Sequence, residues 1–351
     1  MSHVARPAVA AGVGRSRHRA PRSAGDTRAD IFGLRPVWTW VYLAVVVTVW
    51  ALLRWESDRS AVATLLAFGP RWLWGIPIGV LFRRAPLSAV VSLAVAAGLV
   101  VGPIMGLELR GLLPVKELDG QRVRLVTANL GSRLVLPREL VGLVGRTRPD
   151  LVLMQECSDR ADPAFADLRW NYRDDDALCL ASRFPIERTT VRYRPRKPGN
   201  DAFVARYRIR LPRETITVVN AHLDTPRDGL ATLLSVSPQV GALQAMINGR
   251  REQSLDVRRW IAEGDEGTLV VAGDLNLMVD GAIYREAWAD LQNAFSAAGV
   301  GWGYTKREGK LIGARIDHIL VGHRWHVARC WVDEPIGSDH RPLVADLILA
   351  N

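Results

Sequence analysis

The distribution of hydrophobic and polar residues divides the chain into two parts. Residues 36–107 contain long uncharged runs, whereas from Arg122 onward short apolar or alternating runs are separated by polar breaks. Uncharged runs of about 18 or more residues are typical of membrane-spanning helices, and short alternating runs are typical of β-strands. The pattern therefore predicts an N-terminal membrane region followed by a domain built on β-sheets.

Three apolar segments predict a bundle of three transmembrane helices, at about 36–53, 61–82 and 85–107. Two tryptophans lie near each end of the first segment, as in an interfacial aromatic belt. The second segment is interrupted at Gly69-Pro70-Arg71, and the third is rich in small residues that allow close helix packing.

The positive-inside rule orients these segments. Residues 1–35 carry seven Arg without apolar periodicity, which predicts a disordered cytoplasmic tail. Arg83 and Arg84 place the second loop inside as well. Three spans then put residues 108–351 outside the cytoplasmic membrane, whereas a second segment that only dips into the bilayer would leave them in the cytoplasm. We expect a multi-pass membrane protein with an extracytoplasmic domain.

The net charge of +10 suggests a protein that binds nucleic acid, but the charge is unevenly distributed along the chain. Residues 1–107 carry 12 Arg against 4 acidic residues, while residues 108–351 carry 34 basic against 32 acidic residues. The excess charge belongs to the membrane region. A nearly neutral domain lacks the electrostatic footprint of a non-specific DNA binder, so a nucleic-acid partner is not favoured, and no protein partner is inferred.

The three cysteines give no motif. Cys157, Cys179 and Cys330 form no CxxC pair, which argues against a zinc or redox site. We interpret Cys157 and Cys179 as small buried hydrophobic residues.

Residues 108–121 are interpreted as a linker and 122–351 as one α/β (α+β) domain. Eight segments there predict strands: VRLVTANL, PDLVLMQEC, ALCLASRFPI, FVARYRIRL, TITVVNAHL, GTLVVAGDLN, RIDHILV and LVADLILA. PRELVGLVGRT and RREQSLDVRRWIAEG repeat apolar residues at helical spacing. Several neighbouring strands follow one another without a helix between them, which favours mixed sheets.

Eight polar residues fall at or just beyond these strand ends, where open α/β sheets gather their sites. They are Asn129, Glu156, His222, Asp274, Asn276, Asp317, Asp339 and His340. The set matches what phosphoester hydrolysis requires, because carboxylates bind hard cations, a carboxylate activates water, and amide and imidazole groups hold phosphate oxygens. Taken singly, each residue could equally serve a turn, a cap or the core.

The ordered motifs TANLG, MQEC, NAHLD, GDLN, RIDH and SDHRP resemble the endonuclease/exonuclease/phosphatase superfamily, the deoxyribonuclease I-like phosphoesterases, over about residues 122–350. The resemblance implies a four-layer sandwich of two mixed sheets flanked by helices. It also implies that Asn129, Glu156 and Asp339 bind Mg²⁺ or Mn²⁺, and that Asp274 positions the attacking water. His222 and Asn276 would contact the phosphate, and Asp317 would pair with His340.

Two further features bear on the substrate. The three predicted spans resemble the layout of a membrane-anchored branch of the superfamily that is associated with polyprenyl (pyro)phosphates of cell-wall synthesis. The segment Leu230–Ile247 carries almost no charge and would either contact lipid or pack on the domain. Trp302 would line the substrate cleft or pack ordinarily. We therefore expect hydrolysis of a lipid-linked phosphate, with an extracytoplasmic nuclease as the alternative.

Overall fold

The computed structural model describes residues 35–350, apart from 83–86, 115–117, 132–134, 158–160, 162–163, 166–167, 195–201, 234, 236, 265 and 310–311. The predicted tail, residues 1–35, lies outside the described residues except for Arg35, which begins the first helix. The predicted linker, residues 108–121, is partly attached to the domain, because Glu108 forms a β-bridge with Gly301.

The first sheet contains β1 (Gly120–Asn129), β2 (Leu151–Gln155), β3 (Asn171–Asp174), β4 (Leu178–Ser182), β13 (Trp325–Val332) and β14 (Leu343–Ala350). Their order is β13-β14-β1-β2-β4-β3. Only β1 and β2 pair in parallel within this sheet. Every residue of β2 and β4 is buried, which explains their continuous apolar sequences.

The second sheet contains β5 (Ile186–Tyr193), β6 (Ala202–Arg210), β7 (Thr215–His222), β8 (Leu269–Asp274), β9 (Gln292–Asn293) and β12 (Asp317–Val321). Their order is β5-β6-β7-β8-β12-β9, and β7 and β8 form its one parallel pair. A separate hairpin joins β10 (Lys306–Glu308) to β11 (Ile312–Ala314).

The two sheets enclose one hydrophobic core to which both contribute, including Leu125 and Leu153 from the first sheet and Val218 and Val270 from the second. Helix α5 (Pro137–Thr147) buries Leu140 and Leu143 against the outer face of the first sheet. Helix α7 (Val240–Ile261) buries Val257 and Ile261 against the outer face of the second. Shorter helices are α6 (Arg227–Leu233), α8 (Ala282–Ala287) and α9 (Ala294–Ala298). The predicted sandwich of two mixed sheets flanked by helices is confirmed.

Each of the eight predicted strand segments contains a strand. The sequence pattern missed β3, β5, β9, β13 and the β10–β11 hairpin. The first four of these lie at sheet edges, where solvent replaces the second neighbour and polar residues such as those of β3 and β5 are tolerated. Edge position therefore removes the apolar signal that identifies a central strand.

The N-terminal region forms α1 (Arg35–Ala51), α2 (Ala61–Phe68), α3 (Ile76–Phe82) and α4 (Leu87–Leu99). In the described part of the chain one helix, Val37–Glu56, is long and apolar enough to cross a membrane. The predicted second span is two helices bent by 85° at Gly69-Pro70, and the third is a shorter apolar helix, Ala89–Ile104. A bundle of three spanning helices is therefore not supported, because the Gly-Pro break stops the second segment from continuing as one helix.

Buried ion pairs attach this N-terminal region to the sandwich. Arg250 Nη1 lies 3.0 Å from Asp58 Oδ1, and the two side chains are only 2% and 1% exposed. Arg71 Nη1 lies 2.9 Å from Asp280 Oδ2. Arg250 also donates to the carbonyl oxygens of Asp224, at 3.0 Å, and Asn276. One guanidinium thus connects the loop after α1 to two loops at the end of the second sheet.

Cys157 and Cys179 form a disulfide, so interpreting them as unpaired was wrong, although both are buried. β2 and β4 are antiparallel neighbours, with Met154 opposite Cys179. Because Cys157 follows a bend just beyond β2, it returns to bonding distance of Cys179. That register is a tertiary feature which the spacing of the cysteines does not reveal. Cys330 is a free, buried cysteine.

Within the apolar segment Leu230–Ile247, residues 230–233 end α6 and residues 240–247 begin α7. Leu243 and Ile247 are buried against Ala61 of α2. Leu230 lines a cavity, and Val240 is 55% exposed. The buried residues of the segment therefore pack against the N-terminal helices, while much of the remainder is exposed.

We predict that Arg250→Gln destabilises the protein by about 3–5 kcal/mol, because it leaves the Asp58 carboxylate buried without its partner. Chemical unfolding of the full chain in a neutral detergent measures this loss. Arg138→Gln is the matched control: its side chain is 78% exposed, and it should change stability by less than about 0.5 kcal/mol. Equal effects of the two substitutions would contradict the prediction.

Candidate active site

The predicted site residues meet because each sheet contains one parallel pair. β1 and β2 end side by side, and Asn129 and Glu156 lie at or just beyond those ends. β7 and β8 also end side by side, with His222 directly opposite Asp274. The carboxyl ends of both pairs point to the same edge of the sandwich, because Asn129 at the end of β1 contacts Asp274 at the end of β8.

The Asn129 side chain joins the two sheets at this edge. Its Nδ2 donates to Glu156 Oε1 and to Asp274 Oδ2, at 3.0 Å in each case. Its Oδ1 accepts from the Gly131 amide at 2.9 Å, which fixes the orientation of the amide plane. His222 Nε2 lies 3.8 Å from the same oxygen of Glu156 and 3.9 Å from the same oxygen of Asp274.

Asp317 and His340 form the predicted dyad. Asp317 begins β12 opposite Asp274, and its Oδ2 lies 2.9 Å from His340 Nδ1. Burial lowers the pKa of His340, but the charge of Asp317 and its hydrogen bond outweigh burial and raise that pKa to about 9. The second ring nitrogen, Nε2, lies 3.7 Å from Asp274 Oδ2. A charged imidazole therefore faces the centre of the site.

Asp274 is almost completely buried. Burial and the nearby charge of Asp317 raise its pKa to about 7, against the opposing effects of His340 and of hydrogen bonds from Asn276 and Asn129. Its Oδ1 accepts from the Asn276 amide at 2.9 Å. A carboxylate with a pKa near neutrality is suited to accept a proton during catalysis.

The GDLN turn requires two unusual backbone conformations. Gly273 has φ of +147°, and a Cβ there would lie 1.9 Å from the Ala221 carbonyl oxygen. Asn276 has φ of +51°, which Asn tolerates better than most residues. Asn276 Nδ2 donates to the Leu223 carbonyl at 2.9 Å, and an amide nitrogen carries a second hydrogen for another acceptor.

Asp339 lies at the rim of the cluster. Its Oδ1 is 4.0 Å from His340 Nε2, while its Oδ2 forms an ion pair with Lys306 and lies 3.8 Å from Arg227 Nη2. Burial raises the pKa of Asp339, but Lys306 outweighs it and the pKa is lowered. The structure therefore brings seven of the eight predicted residues into one cluster, with the Asp339 carboxylate directed to two basic side chains beside it.

Three other residues complete the surroundings of the site. Trp302 does not line the catalytic cavity; it lines a second cavity and stacks on Tyr304. His318 is buried, and its Nε2 lies 2.8 Å from the Leu277 carbonyl oxygen. Asp224, two residues after His222, pairs with Arg194 at 2.7 Å.

Residues that sequence reasoning missed are Lys306, Arg227 and Arg250. The first two line the catalytic cavity, and the third supports the loop of Asn276. None stands at the end of a predicted strand, so strand-end position could not identify them. Their only sequence signal is a positive charge.

The donor set fits a hard divalent cation. Glu156 and Asp274 offer carboxylate oxygens on either side of the Asn129 amide. Asp274, Asp317 and His340 also bring ligand atoms within 4.8 Å of one another. Burial, and then the charge of Asp317, raise the pKa of Asp274, and a bound cation would oppose both effects. Mg²⁺ and similar cations prefer such oxygen ligands.

A cavity of about 570 Å³ covers the cluster and has two chemically different sides. Its polar side includes Glu156, His222, Asp274, Asn276 and His340. Its apolar side is formed by residues from the N-terminal helices, from α6 and from the β10–β11 hairpin, including Leu65, Phe68, Pro70, Leu230 and Ile312. The N-terminal region therefore supplies part of the catalytic cavity.

The sequence profile of the Endonuclease/Exonuclease/phosphatase family matches residues 126–340, which contain every residue of the cluster. The chain belongs to this family. It is accordingly a hydrolase that acts on phosphoester bonds, and the predicted superfamily is confirmed. A search of curated protein sequences found no match.

The chain is similar to several solved structures. A humanized D. rerio TDP2 carrying 14 mutations is 14% identical over 64% of this chain and 98% of its own, with a TM-score of 0.50. A family protein from Beutenbergia cavernae is 17% identical over 66% and 72%, with a TM-score of 0.49. Sphingomyelinase C from Streptomyces griseocarneus is 16% identical over 66% and 100%, with a TM-score of 0.44.

We predict that Gly273→Ala costs more than about 3 kcal/mol of stability, because the added Cβ forces β7 and β8 apart at the site. Gly249→Ala is the matched control: Gly249 lies within α7, and a Cβ there meets nothing within 4 Å. The control should stabilise the protein by about 0.5–1 kcal/mol. Thermal unfolding compares the two variants, and a Gly273→Ala protein as stable as the control would refute this account of the turn.

Proposed function

We propose that this protein is a membrane-anchored, metal-dependent phosphoesterase that hydrolyses a lipid-linked phosphate. The observation that carries the lipid assignment is the composition of the catalytic cavity, in which the bend between α2 and α3 faces the acid–imidazole cluster. A substrate held there has its phosphate against polar groups and its remaining part against apolar side chains.

The proposed reaction is attack of water on phosphorus, which forms a phosphorus–oxygen bond and breaks the bond to the leaving oxygen. Asp274 orients the water and accepts its proton. His340, kept protonated by Asp317, donates to a non-bridging phosphate oxygen. Asn276 and His222 donate hydrogen bonds to the other non-bridging phosphate oxygens. Positioned donors of this kind stabilise the charge that grows on the phosphoryl group in the transition state.

Glu156 is the proposed holder of Mg²⁺ or Mn²⁺, with Asn129 beside it. Asn129 orients Glu156 through the hydrogen bond described above. Asp339 remains a proposed ligand, and its pairing with Lys306 holds it at the rim. A bound divalent cation would supply Lewis-acid stabilisation of the phosphate. The disulfide at Cys157, the residue after Glu156, restrains this part of the site.

Exposed apolar side chains support the membrane anchor. Eighteen of the 24 exposed large hydrophobic residues among the described ones lie between positions 37 and 113. Large exposed apolar surfaces of this kind mark contact with a membrane or a partner. The single helix Val37–Glu56 is the proposed span. The Cys157–Cys179 disulfide supports an extracytoplasmic location of the domain, since disulfides persist in oxidising compartments.

We predict that Asp274→Asn lowers the turnover of a soluble phosphodiester such as bis(4-nitrophenyl) phosphate by about a thousandfold or more, because general base catalysis and water positioning are both lost. Chelation of divalent cations should abolish the same activity, and Mg²⁺ or Mn²⁺ should restore it. Asp290→Asn, at a side chain that is 55% exposed, is the control. Unchanged turnover by Asp274→Asn would remove Asp274 from the mechanism.

We predict that Leu65→Ala raises the KM for a lipid substrate and leaves the KM for a soluble substrate nearly unchanged. Removing part of the apolar side of the cavity should raise the KM for undecaprenyl pyrophosphate about 5- to 30-fold, as expected for a lost aliphatic contact of about 1–2 kcal/mol. The KM for bis(4-nitrophenyl) phosphate should stay within about twofold, because that small ester does not need the apolar side. Val62→Ala, on the same helix but 66% exposed and outside the cavity, is the control.

The choice of substrate is tested with the unaltered protein, which is given undecaprenyl pyrophosphate, a sphingomyelin-like lipid and plasmid DNA in the presence of Mg²⁺. Turnover of either lipid with DNA left intact supports the proposal. Cleavage of DNA with both lipids left intact would identify the nuclease alternative as correct, while leaving the catalytic assignments in place.

A further inference from the structure

A second cavity, of about 700 Å³, lies between the N-terminal helices and the sandwich. It shares no lining residue with the catalytic cavity. Its walls come from the end of the candidate span at Trp50–Arg54, from the segment after α4 at Gly102–Arg110, and from the domain at Met278–Asp280. It therefore lies at the point where the span meets the catalytic domain.

Basic side chains dominate the polar lining of this cavity. Five arginines face two acids there, namely Arg54, Arg71, Arg110, Arg285 and Arg315 against Glu108 and Asp280. Arg71 is already paired with Asp280, at 2.9 Å. The nearest oxygen of Glu108 is 3.6 Å from Arg315 Nη1, beyond hydrogen-bond distance. The cavity thus has an excess of positive charge without matching carboxylates.

Arg315 is the deepest of these cations and is only 5% exposed. Its Nη2 donates to Ser296 at 3.1 Å, but among the described residues its buried Nη1 has no hydrogen-bond partner. Burial lowers the pKa of Arg315, and burial together with the charge of Arg54 lowers that of Arg285. A buried guanidinium nitrogen without a hydrogen-bond partner is costly, and a bound anion would offset that cost.

The remaining lining is apolar and suits an amphiphile. Trp50, Leu53, Met105 and Met278 contribute side chains to the cavity. Trp50 and Trp55 contact each other edge to face near the end of the span, where tryptophans occur at membrane interfaces. An anion that brings its own apolar chain would satisfy both the arginines and these walls, whereas a free anion would satisfy only the arginines.

We propose that this cavity is a non-catalytic binding site for a phosphate group, carried by a membrane phospholipid. Arg54, Arg110 and Arg285 contact the phosphate from the rim, and Arg315 provides the charge at the base. Trp302, which we had expected to contact the substrate, lines this site instead. The proposal does not depend on the substrate of the catalytic cavity.

The test uses the full chain in a neutral detergent, with bound lipid measured by native mass spectrometry. Phosphatidylglycerol and phosphatidylcholine are added in separate arms, and inorganic phosphate is titrated in a third arm monitored by thermal stability. The double variant Arg54→Gln/Arg110→Gln should bind phosphatidylglycerol about tenfold or more weakly, because charge-assisted hydrogen bonds are lost. It should hydrolyse bis(4-nitrophenyl) phosphate within about twofold of the unaltered protein, which also reports correct folding.

Arg138→Gln controls for loss of an exposed positive charge, and Leu65→Ala controls for lipid bound in the catalytic cavity. Both should retain phosphatidylglycerol. Loss of binding only in the double variant supports a lipid site. A stabilising effect of inorganic phosphate that the double variant loses, without lipid binding, supports the phosphate site and identifies a free anion as its ligand. Equal ligand binding by the double variant and the unaltered protein overturns the proposal.

Discussion

The amide of Asn129 is the interaction on which the geometry of this site depends. It stands at the end of β1 in one sheet and donates to Glu156 of that sheet and to Asp274 of the other. Without it, two buried or half-buried carboxylates would face each other across the gap between the sheets. Deeper in the core, Gln155 Nε2 donates to Asn220 Oδ1 at 2.7 Å, and Asn220 donates to the Met154 and Cys179 carbonyls. Polar contacts therefore fix how the sheets stack near the chemistry.

The N-terminal helices form part of the candidate active site. Arg250 connects Asp58 with the carbonyl of Asn276, so the position of the loop after α1 is coupled to the catalytic turn. The break at Gly69-Pro70 removes a straight second span and places Leu65 and Phe68 beside the catalytic cluster. A helix bend that is unfavourable for crossing a bilayer thus brings apolar side chains to the polar cluster.

Both cavities lie where the N-terminal helices contact the sandwich, yet their chemistry differs. The catalytic cavity contains converging carboxylates and imidazoles, which suit a cation and a reacting phosphate. The second contains guanidinium groups and few acids, which suit an anion that is only bound. The β10–β11 hairpin contributes to both, with Ile312 and Ala314 facing one cavity and Gly313 the other. Alternation along a strand directs neighbouring residues to opposite sides.

The sequence alone predicted the sandwich, its central strands and most of the polar residues that meet at one edge, because buried strands carry continuous apolar runs and these polar residues follow their ends. It did not determine the edge strands, the Cys157–Cys179 pairing or the direction of the Asp339 carboxylate. Its apolar composition predicted three membrane spans, whereas one described helix is long and apolar enough to cross a membrane. Composition does not register the 85° bend in the second segment. The roles of Arg250, Lys306 and Leu65 were decided only by tertiary structure. They depend on contacts between segments far apart in the chain, which no local pattern encodes.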